Sequence, residues 1–318
     1  MLRLSDGHRR ATVGLKLEGA SGFGSIKHRT ARGLLTALER AGRLKVGDTI
    51  IESTSGNLGV ALASLAQERG YQFVAVGDPN MTVEFRARLK SLGAVVEIID
   101  ELDEFGGYLL SRLAHVRDRL DRHPDWVWPN QYDNHANPSV HCLETAPELM
   151  RQIGERPIDA VFVAVSTGGT LRGIADYFRE ASPRTRLVAV DVRGSVALGG
   201  APGARYLSGI GAGRRSSFLR PRDYDVVMRV DEFEAVRFCR YMANVVGTPI
   251  GASTGAVLAA AALRVRFHPQ DSLFACLSPD GADSYLSTVY DDDWVRRVFG
   301  TVPAADDLAP VTMCRLED

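Results

Sequence analysis

Apolar and polar positions along the chain follow two periods that take turns. Residues 12–18, Thr-Val-Gly-Leu-Lys-Leu-Glu, alternate and predict a strand. A glycine-rich turn follows, and then residues 31–41 read as an amphipathic helix that runs to about residue 43. Residues 49–52 form a short apolar strand, and 60–69 an apolar helix closed by Gly70. Next come a strand at 72–76, a helix at 83–92 ending at Gly93, and a strand at 94–99. Residues 104–120 predict another helix around the Gly106-Gly107 pair. The stretch 125–137 is rich in Trp, Pro and Asn and reads as a loop. Residues 147–153 belong to a helix. A second series then begins, with strands at 160–165, 186–191 and 272–277 and helices at 171–180, 232–246 and 256–266.

Strands separated by helix-length connections predict parallel sheets with helices on both faces. The chain is therefore expected to be α/β. It divides into two three-layer domains with largely parallel sheets, and the active site lies in the cleft between them, where ligands usually bind. The expected division places 1–17 with 138–300 in a larger domain and 18–137 in a smaller mobile one. Residues 301–318 are acidic and Pro/Ala-rich and read as a loosely ordered tail.

Composition narrows the function. With 318 residues, 45% of them hydrophobic, the chain has material for a sizeable core. A formal net charge of −1 argues against a nucleic-acid or anionic-membrane partner. No apolar run approaches the roughly 18 residues of a membrane span. The first six residues carry no signal-peptide core, so the reading is cytoplasmic. Cys142, Cys239, Cys276 and Cys314 lie far apart, without metal-site spacing, so no metal is expected.

The chemistry sits in the turns. Lys27 follows Gly19, Ala20, Ser21, Gly22 and Gly24 at a strand-to-helix turn. A lysine held there can form a Schiff base with an aldehyde when its pKa is lowered. Ser166-Thr167-Gly168-Gly169-Thr170 joins a strand to a helix, where free N–H groups and the helix dipole suit a phosphate. Ser53-Thr54-Ser55-Gly56-Asn57 also opens a helix, and its hydroxyls and N–H groups suit a carboxylate. A single N-cap explains one of those hydroxyls, not three. Gly251-Ala252-Ser253-Thr254-Gly255 and Ser278-Pro279-Asp280-Gly281 are further turns at strand ends, where open sheets place ligands. Neither a P-loop nor a dinucleotide fingerprint is present, so nucleotide readings are weak.

Together these stretches resemble the fold-type-II (tryptophan synthase β-like) pyridoxal-phosphate enzymes of the cysteine synthase family. The matching pieces are 24–27, 52–59, Asn130-Gln131, 166–170, 251–256 and 279–285, in the family's order over nearly the whole chain. The combination is specific where each piece alone is not. Within the family the chain looks most like the diaminopropionate-supplying branch. Features pointing there include 90–94, 106–109, Tyr132, 188–191 with 194–196, and 209–212. That branch joins O-phospho-L-serine to L-glutamate through an aminoacrylate. It gives N-(2-amino-2-carboxyethyl)-L-glutamate and phosphate, for siderophore or peptide-antibiotic biosynthesis.

The resemblance implies pyridoxal 5'-phosphate on Lys27, which is also the base for the α-proton. It implies that Ser166, Thr167, Gly168, Gly169 and Thr170 hold the cofactor phosphate and that Asn57 meets the ring oxygen. Ser278 or Asp280 would face the pyridine nitrogen. Ser53, Thr54, Ser55, Gln131 and Ser253 would bind substrate. It also implies small amino-acid substrates and a homodimer. Two positions depart from the family's pattern: His28 stands where Asp is common, and Asp280 where the cysteine synthases carry Ser. The lead-in to the first strand also looks short.

Anionic substrates call for arginines in the cleft, and Arg86, Arg88, Arg193, Arg214 and Arg215 are candidates. Tyr132 and His135 are candidates for the pocket wall, although a loop histidine is more often exposed. His28 reads as a solvent-facing helix start, and 112–122 as a mixed-charge helix face. The competing readings are a cysteine synthase using sulfide and a cofactor-binding partner protein without turnover. The intact Lys27, Asn57 and Gln131 speak against the latter.

Overall fold

The computed structural model describes residues 1–20, 24–104, 106–154, 156–304, 306, 308 and 311–316. Strands β1 (Leu2–Ser5) and β2 (Arg10–Leu17) open the chain, followed by helix α1 (Lys27–Arg40). Then come β3 (Thr49–Ser53), α2 (Asn57–Arg69), β4 (Gln72–Gly77), α3 (Val83–Ser91), β5 (Val95–Ile98) and α4 (Leu109–Arg122). Helices α5 (Ala136–Val140) and α6 (Ala146–Ile153) flank a π-helical turn, His141–Thr145. The second series is β6 (Ala160–Ala164), α7 (Gly169–Ala181), β7 (Arg186–Val192), β8 (Val226–Val230), α8 (Glu232–Asn244), α9 (Ala252–Arg264) and β9 (Ser272–Ser278). Helix α10 (Asp292–Phe299) and strand β10 (Thr312–Arg315) end it.

The strands form two sheets. The larger has seven strands in the order β10-β1-β2-β9-β6-β7-β8, and the smaller has β3-β4-β5. The smaller sheet is wholly parallel. In the larger one, β2, β9, β6, β7 and β8 run parallel, and β1 pairs antiparallel with β2 and β10. Strands β6 and β9 are apolar almost throughout and buried, as expected of central parallel strands covered on both faces. Each sheet has its own core. Phe162, Phe274, Val188 and the small residues of α9 pack one face of the large sheet, while Val161, Leu171 and Phe178 pack the other. Leu35, Leu62, Phe73 and Leu89 pack the small one. The architecture is α/β with mostly parallel sheets, as the element pattern predicts.

Several boundaries move for local reasons. Helix α4 starts at Leu109 rather than near 104, because Gly106 is left-handed (φ 73°) and the Asp103 carboxylate accepts from Gly107 N and Leu110 N. Helices α1, α2 and α9 each start three or four residues earlier than the apolar pattern places them, at Lys27, Asn57 and Ala252. The site residues thus stand on first helical turns. The tail is not loose along its length. Thr312–Arg315 pairs with Leu2–Ser5, and Met313 and Leu308 are buried in the large core. The acidic, Pro-rich stretch concealed that short apolar strand.

Candidate active site

Lys27 is fixed by what lies on either side of it. Ile26 N donates to Pro279 O at 2.7 Å, and Ser25 pairs with Asp280 as an isolated antiparallel bridge. The start of α1 is therefore stitched to the loop after β9. Two residues on, Arg29 donates to Glu18 Oε2 (2.8 Å) and Glu148 Oε2 (2.7 Å), and Lys16 lies 3.2 Å from Glu18 and 2.9 Å from Glu148. Lys16 and Glu18 are buried. A closed network of this kind fixes an orientation more than it adds stability. Ser21 and Gly22, part of the small-residue run before Lys27, lie outside the described residues.

Lys27 lines a cleft of ≈690 Å³ with Thr54, Ser55, Gly56, Asn57, Gln131, Tyr132 and Ser166. Burial pushes its amine below the ordinary lysine pKa, and the nearby Asp280 carboxylate opposes that shift. Lowering a lysine's pKa favours the neutral amine, which is the form that acts as nucleophile and base.

Asp280 is buried, and its Oδ2 accepts from Asn57 Nδ2 (2.6 Å) and Tyr285 OH (2.7 Å). Desolvation raises its pKa to about 6. Asn57 reaches this carboxylate across 223 residues of sequence. Asp280 Oδ1 and Ser253 Oγ are buried and lack well-formed hydrogen bonds. Ser278 differs: its hydroxyl is bonded to Thr254 Oγ1 at 2.9 Å. Of the two candidates for the pyridine nitrogen, Asp280 is the one at the lysine.

The turn 166–170 is shaped by its glycines. Gly168 is left-handed (φ 91°), and a Cβ on Gly169 would stand 2.2 Å from Asn137 Oδ1. Ser166 faces the cleft. The Thr167 hydroxyl contacts Asn137 Nδ2 at 3.4 Å, and the Thr170 hydroxyl meets His141 Nε2 at 3.3 Å. The N–H groups of the first α7 turn have no intrahelical acceptor. His141 is fully buried between Thr30, Thr145 and Thr170, and desolvation, with Lys27 adding repulsion, lowers its pKa to about 3. It is a neutral strut between the lysine helix and this turn, and the apolar and polar patterns gave no sign of it.

The cradle at 53–57 is braced from behind. The Glu52 side chain is fully buried and accepts from Ser53 N (2.9 Å), Trp128 Nε1 (3.1 Å) and Gln131 N (3.0 Å). Gln131 Nε2 returns a bond to Ser53 O at 2.9 Å. Thr54 Oγ1 accepts from Gly59 N, whereas Ser53 Oγ is buried beside the Tyr132 hydroxyl without a well-formed hydrogen bond. With no cation beside it, Glu52 has a pKa raised by burial to about 7, above the ordinary 4.5. Between these values the folded chain holds a proton that the unfolded chain releases, so stability falls as pH rises from about 4.5 to about 7. The expected loss is about 3 kcal/mol. Glu52→Gln removes this dependence, and denaturant titrations of both proteins across that range check it. Equal slopes for the two would contradict it.

Arginines enter the cleft from unexpected places. Arg112, on α4, lines the cleft and is buried against Asp78, with Nη1 3.1 Å from Oδ2. Its Nε and Nη1 lack well-formed hydrogen bonds. The mixed-charge face read at 112–122 is buried at its first residue, whose partner Asp78 lies in the loop after β4. Arg205 also lines the cleft. None of the arginines proposed from sequence is among the lining residues. Arg214 pairs with Asp133 at 3.1 Å and stacks over Tyr132. His135 packs edge-on to Phe218, away from the cleft lining. His28 is half-buried rather than solvent-facing, and burial lowers its pKa. No cluster suited to a metal ion is present among the described residues.

Comparison with known proteins matches this arrangement. The family model described as pyridoxal-phosphate dependent enzyme covers residues 1–278. The N-(2-amino-2-carboxyethyl)-L-glutamate synthase of Ralstonia nicotianae is 40% identical over 298 residues, 94% of this chain and 88% of that protein. The crystal structure of an O-ureido-L-serine synthase superposes with a TM-score of 0.82 at 31% identity, covering 93% of this chain and 95% of that one. That of an O-acetylserine-dependent cystathionine β-synthase from Helicobacter pylori gives 0.83 at 28% identity, over 91% and 94%. The chain belongs to the fold-type-II pyridoxal-phosphate dependent enzymes, in the cysteine synthase group. It is an enzyme of the β-replacement transferase type, and pyridoxal phosphate is its cofactor. The residues in and around the cleft fit that group: a half-buried lysine amine in its lining, and beside it a glycine turn that a Cβ would block and orphaned polar atoms at Ser253 and Asp280.

Proposed function

We propose that the enzyme replaces the phosphate of O-phospho-L-serine with the amino group of L-glutamate, giving N-(2-amino-2-carboxyethyl)-L-glutamate. The observation that carries this is a half-buried lysine amine, its pKa lowered by desolvation, in a cleft that also holds two arginines, Arg112 and Arg205. Cysteine synthesis from acetylserine and sulfide brings neither a phosphate leaving group nor an acceptor with carboxylates of its own to the cleft. The named activity of the Ralstonia relative supports the same reading.

Lys27 would hold the cofactor, with the N–H groups of 166–170 and the Ser166 hydroxyl at its phosphate. Asn57 would meet the ring oxygen and Asp280 the ring nitrogen, the two side chains being bonded to each other in this structure. When bound, the cofactor supplies a carbonyl for the substrate amine and a sink for the electrons released at its α-carbon. Ser55, the backbone at Gly56 and the Gln131 amide bind the α-carboxylate, and Glu52 keeps Gln131 and the cradle in register. With the cofactor bound and its amine free, Lys27 Nζ would take the α-proton, a role its lowered pKa suits. Arg112 faces the departing phosphate, for which a guanidinium is a matched partner. Closure of the unit built on β3-β4-β5 over the larger one excludes water while the acceptor amine adds.

All four cysteines are free, which suits a reducing compartment. We place the enzyme in the cytoplasm as a homodimer, supplying diaminopropionate for a siderophore or peptide antibiotic. No helix among the described residues is long and apolar enough to cross a membrane. The test pairs donors with acceptors. Multiple-turnover phosphate release is expected with phosphoserine plus glutamate, and little reaction with acetylserine plus sulfide. The reverse preference would make the enzyme a cysteine synthase.

A further inference from the structure

We infer that Arg205 selects the acceptor by binding its side-chain carboxylate, which makes it the residue that distinguishes glutamate from neutral amino acids. The inference rests on the acceptor's being an amino acid with an acidic side chain.

The segment 194–213 runs from the end of β7 across the mouth of the cleft and supplies much of its lining. It is held as a strap. Gly203 N donates to Gly194 O at 3.1 Å, Val196 N to Ala212 O at 3.0 Å, and Ser195 Oγ accepts from Ala197 N and Ala212 N. Immediately after Arg205, the N–H groups of Tyr206 and Leu207 donate to the buried Glu232 carboxylate at 2.9 to 3.1 Å. The backbone that presents Arg205 is thus pinned from both sides.

The side chain is placed as well. Gly211 is left-handed (φ 75°), and a Cβ there would lie 3.1 Å from Arg205 Nη1, so the guanidinium packs across the one residue type that leaves it room. Behind it lie Asp191 and Glu232, whose carboxylates feel its charge without pairing with it directly. Among the described residues Arg205 makes no hydrogen bond or ion pair, whereas Arg112 has Asp78. A half-buried fork with unused donors, on a rigid strap in a cleft, is a receptor for a planar anion.

Its position decides which anion. Arg205 stands on the strap after β7 and Arg112 on α4, so the two guanidinium groups line the cleft from different elements. An acceptor whose amine reaches the β-carbon of the bound donor extends its own side chain outward. Its terminal carboxylate meets the strap.

The test separates the two half-reactions in Arg205→Gln. Phosphate released from phosphoserine in a single turnover without acceptor is expected at the wild-type rate, which also shows that the variant folds. The KM for glutamate is expected to rise roughly 10- to 100-fold, the range of one charge-assisted pair. The preference for glutamate over glutamine should fall toward one. Arg205→Lys, which keeps the charge without the fork, should recover part of that preference. An unchanged glutamate KM and preference would overturn the inference, and so would a selective loss of the phosphate-release step, which would assign Arg205 to the donor. If the wild-type enzyme releases no phosphate from phosphoserine, the donor assignment fails, and the same acceptor comparison with acetylserine as donor decides on Arg205 alone.

Discussion

Lys27→Ala is expected to abolish the visible absorption of the bound cofactor and to lower turnover by roughly 10³-fold or more. The size follows from two losses at one atom. The amine is the covalent anchor for the aldehyde, and the same amine then removes the α-proton; a positioned base alone contributes roughly 10²–10⁴. No neighbour can substitute. His141 is the nearest buried imidazole, but its pKa of about 3 and its three threonine contacts make it a poor proton carrier. Asp280 is bonded to Asn57 and Tyr285. Folding should survive, because Ile26 N and Ser25 hold the start of α1 through the backbone. Absorption spectra and steady-state phosphate release check both parts. A variant whose visible band borohydride fixes covalently to the protein would show that another residue carries the cofactor.

Arg112→Ala should be the most damaging change outside the lysine, and it should act twice. Removing the guanidinium leaves Asp78, which is 4% exposed, as an uncompensated buried charge. Breaking a buried pair in this way costs about 3–5 kcal/mol. The phosphate also loses its cation, so kcat/KM for phosphoserine should fall roughly 10²-fold. The two effects separate in the double variant Asp78→Asn, Arg112→Met. That variant should recover most of the stability, since neither residue is then charged, and none of the phosphoserine activity. Thermal unfolding and donor kinetics on the three proteins decide it. Recovery of activity along with stability would reduce Arg112 to a structural residue.

The contrast between these two residues shows what the sequence could reveal. Lys27 was legible because its signal is local: small residues before it, a helix after it, and glycine and hydroxyl turns elsewhere in a fixed order. The α/β architecture was legible for a similar reason, since central strands such as Val161–Val163 and Phe274–Leu277 are apolar runs bounded by helical periods. Arg112 was not legible. Its neighbours Arg117, Asp118, Arg119 and Asp121 give the helix a charged face, and only the distant Asp78 makes the first of them a buried one. Arg205 lies in a strap with no period at all. Glu52 looked like the end of a strand; its burial depends on Trp128 and Gln131, which a loop brings from far along the chain. Strands β1, β8 and β10, at or next to the sheet's edges, are four or five residues long and were passed over, because strand patterns of that length do not stand out from loops.

Isotope-labelled product analysis tests the central claim most directly. Phosphoserine labelled with ¹³C at the β-carbon is incubated with ¹⁵N-glutamate and the enzyme, and the product is examined by NMR. Carbon–nitrogen coupling at the labelled carbon, in a product of the mass of N-(2-amino-2-carboxyethyl)-L-glutamate, is the predicted result. Labelled pyruvate with no coupled product, or a labelled thiol formed only when sulfide is added, would contradict it.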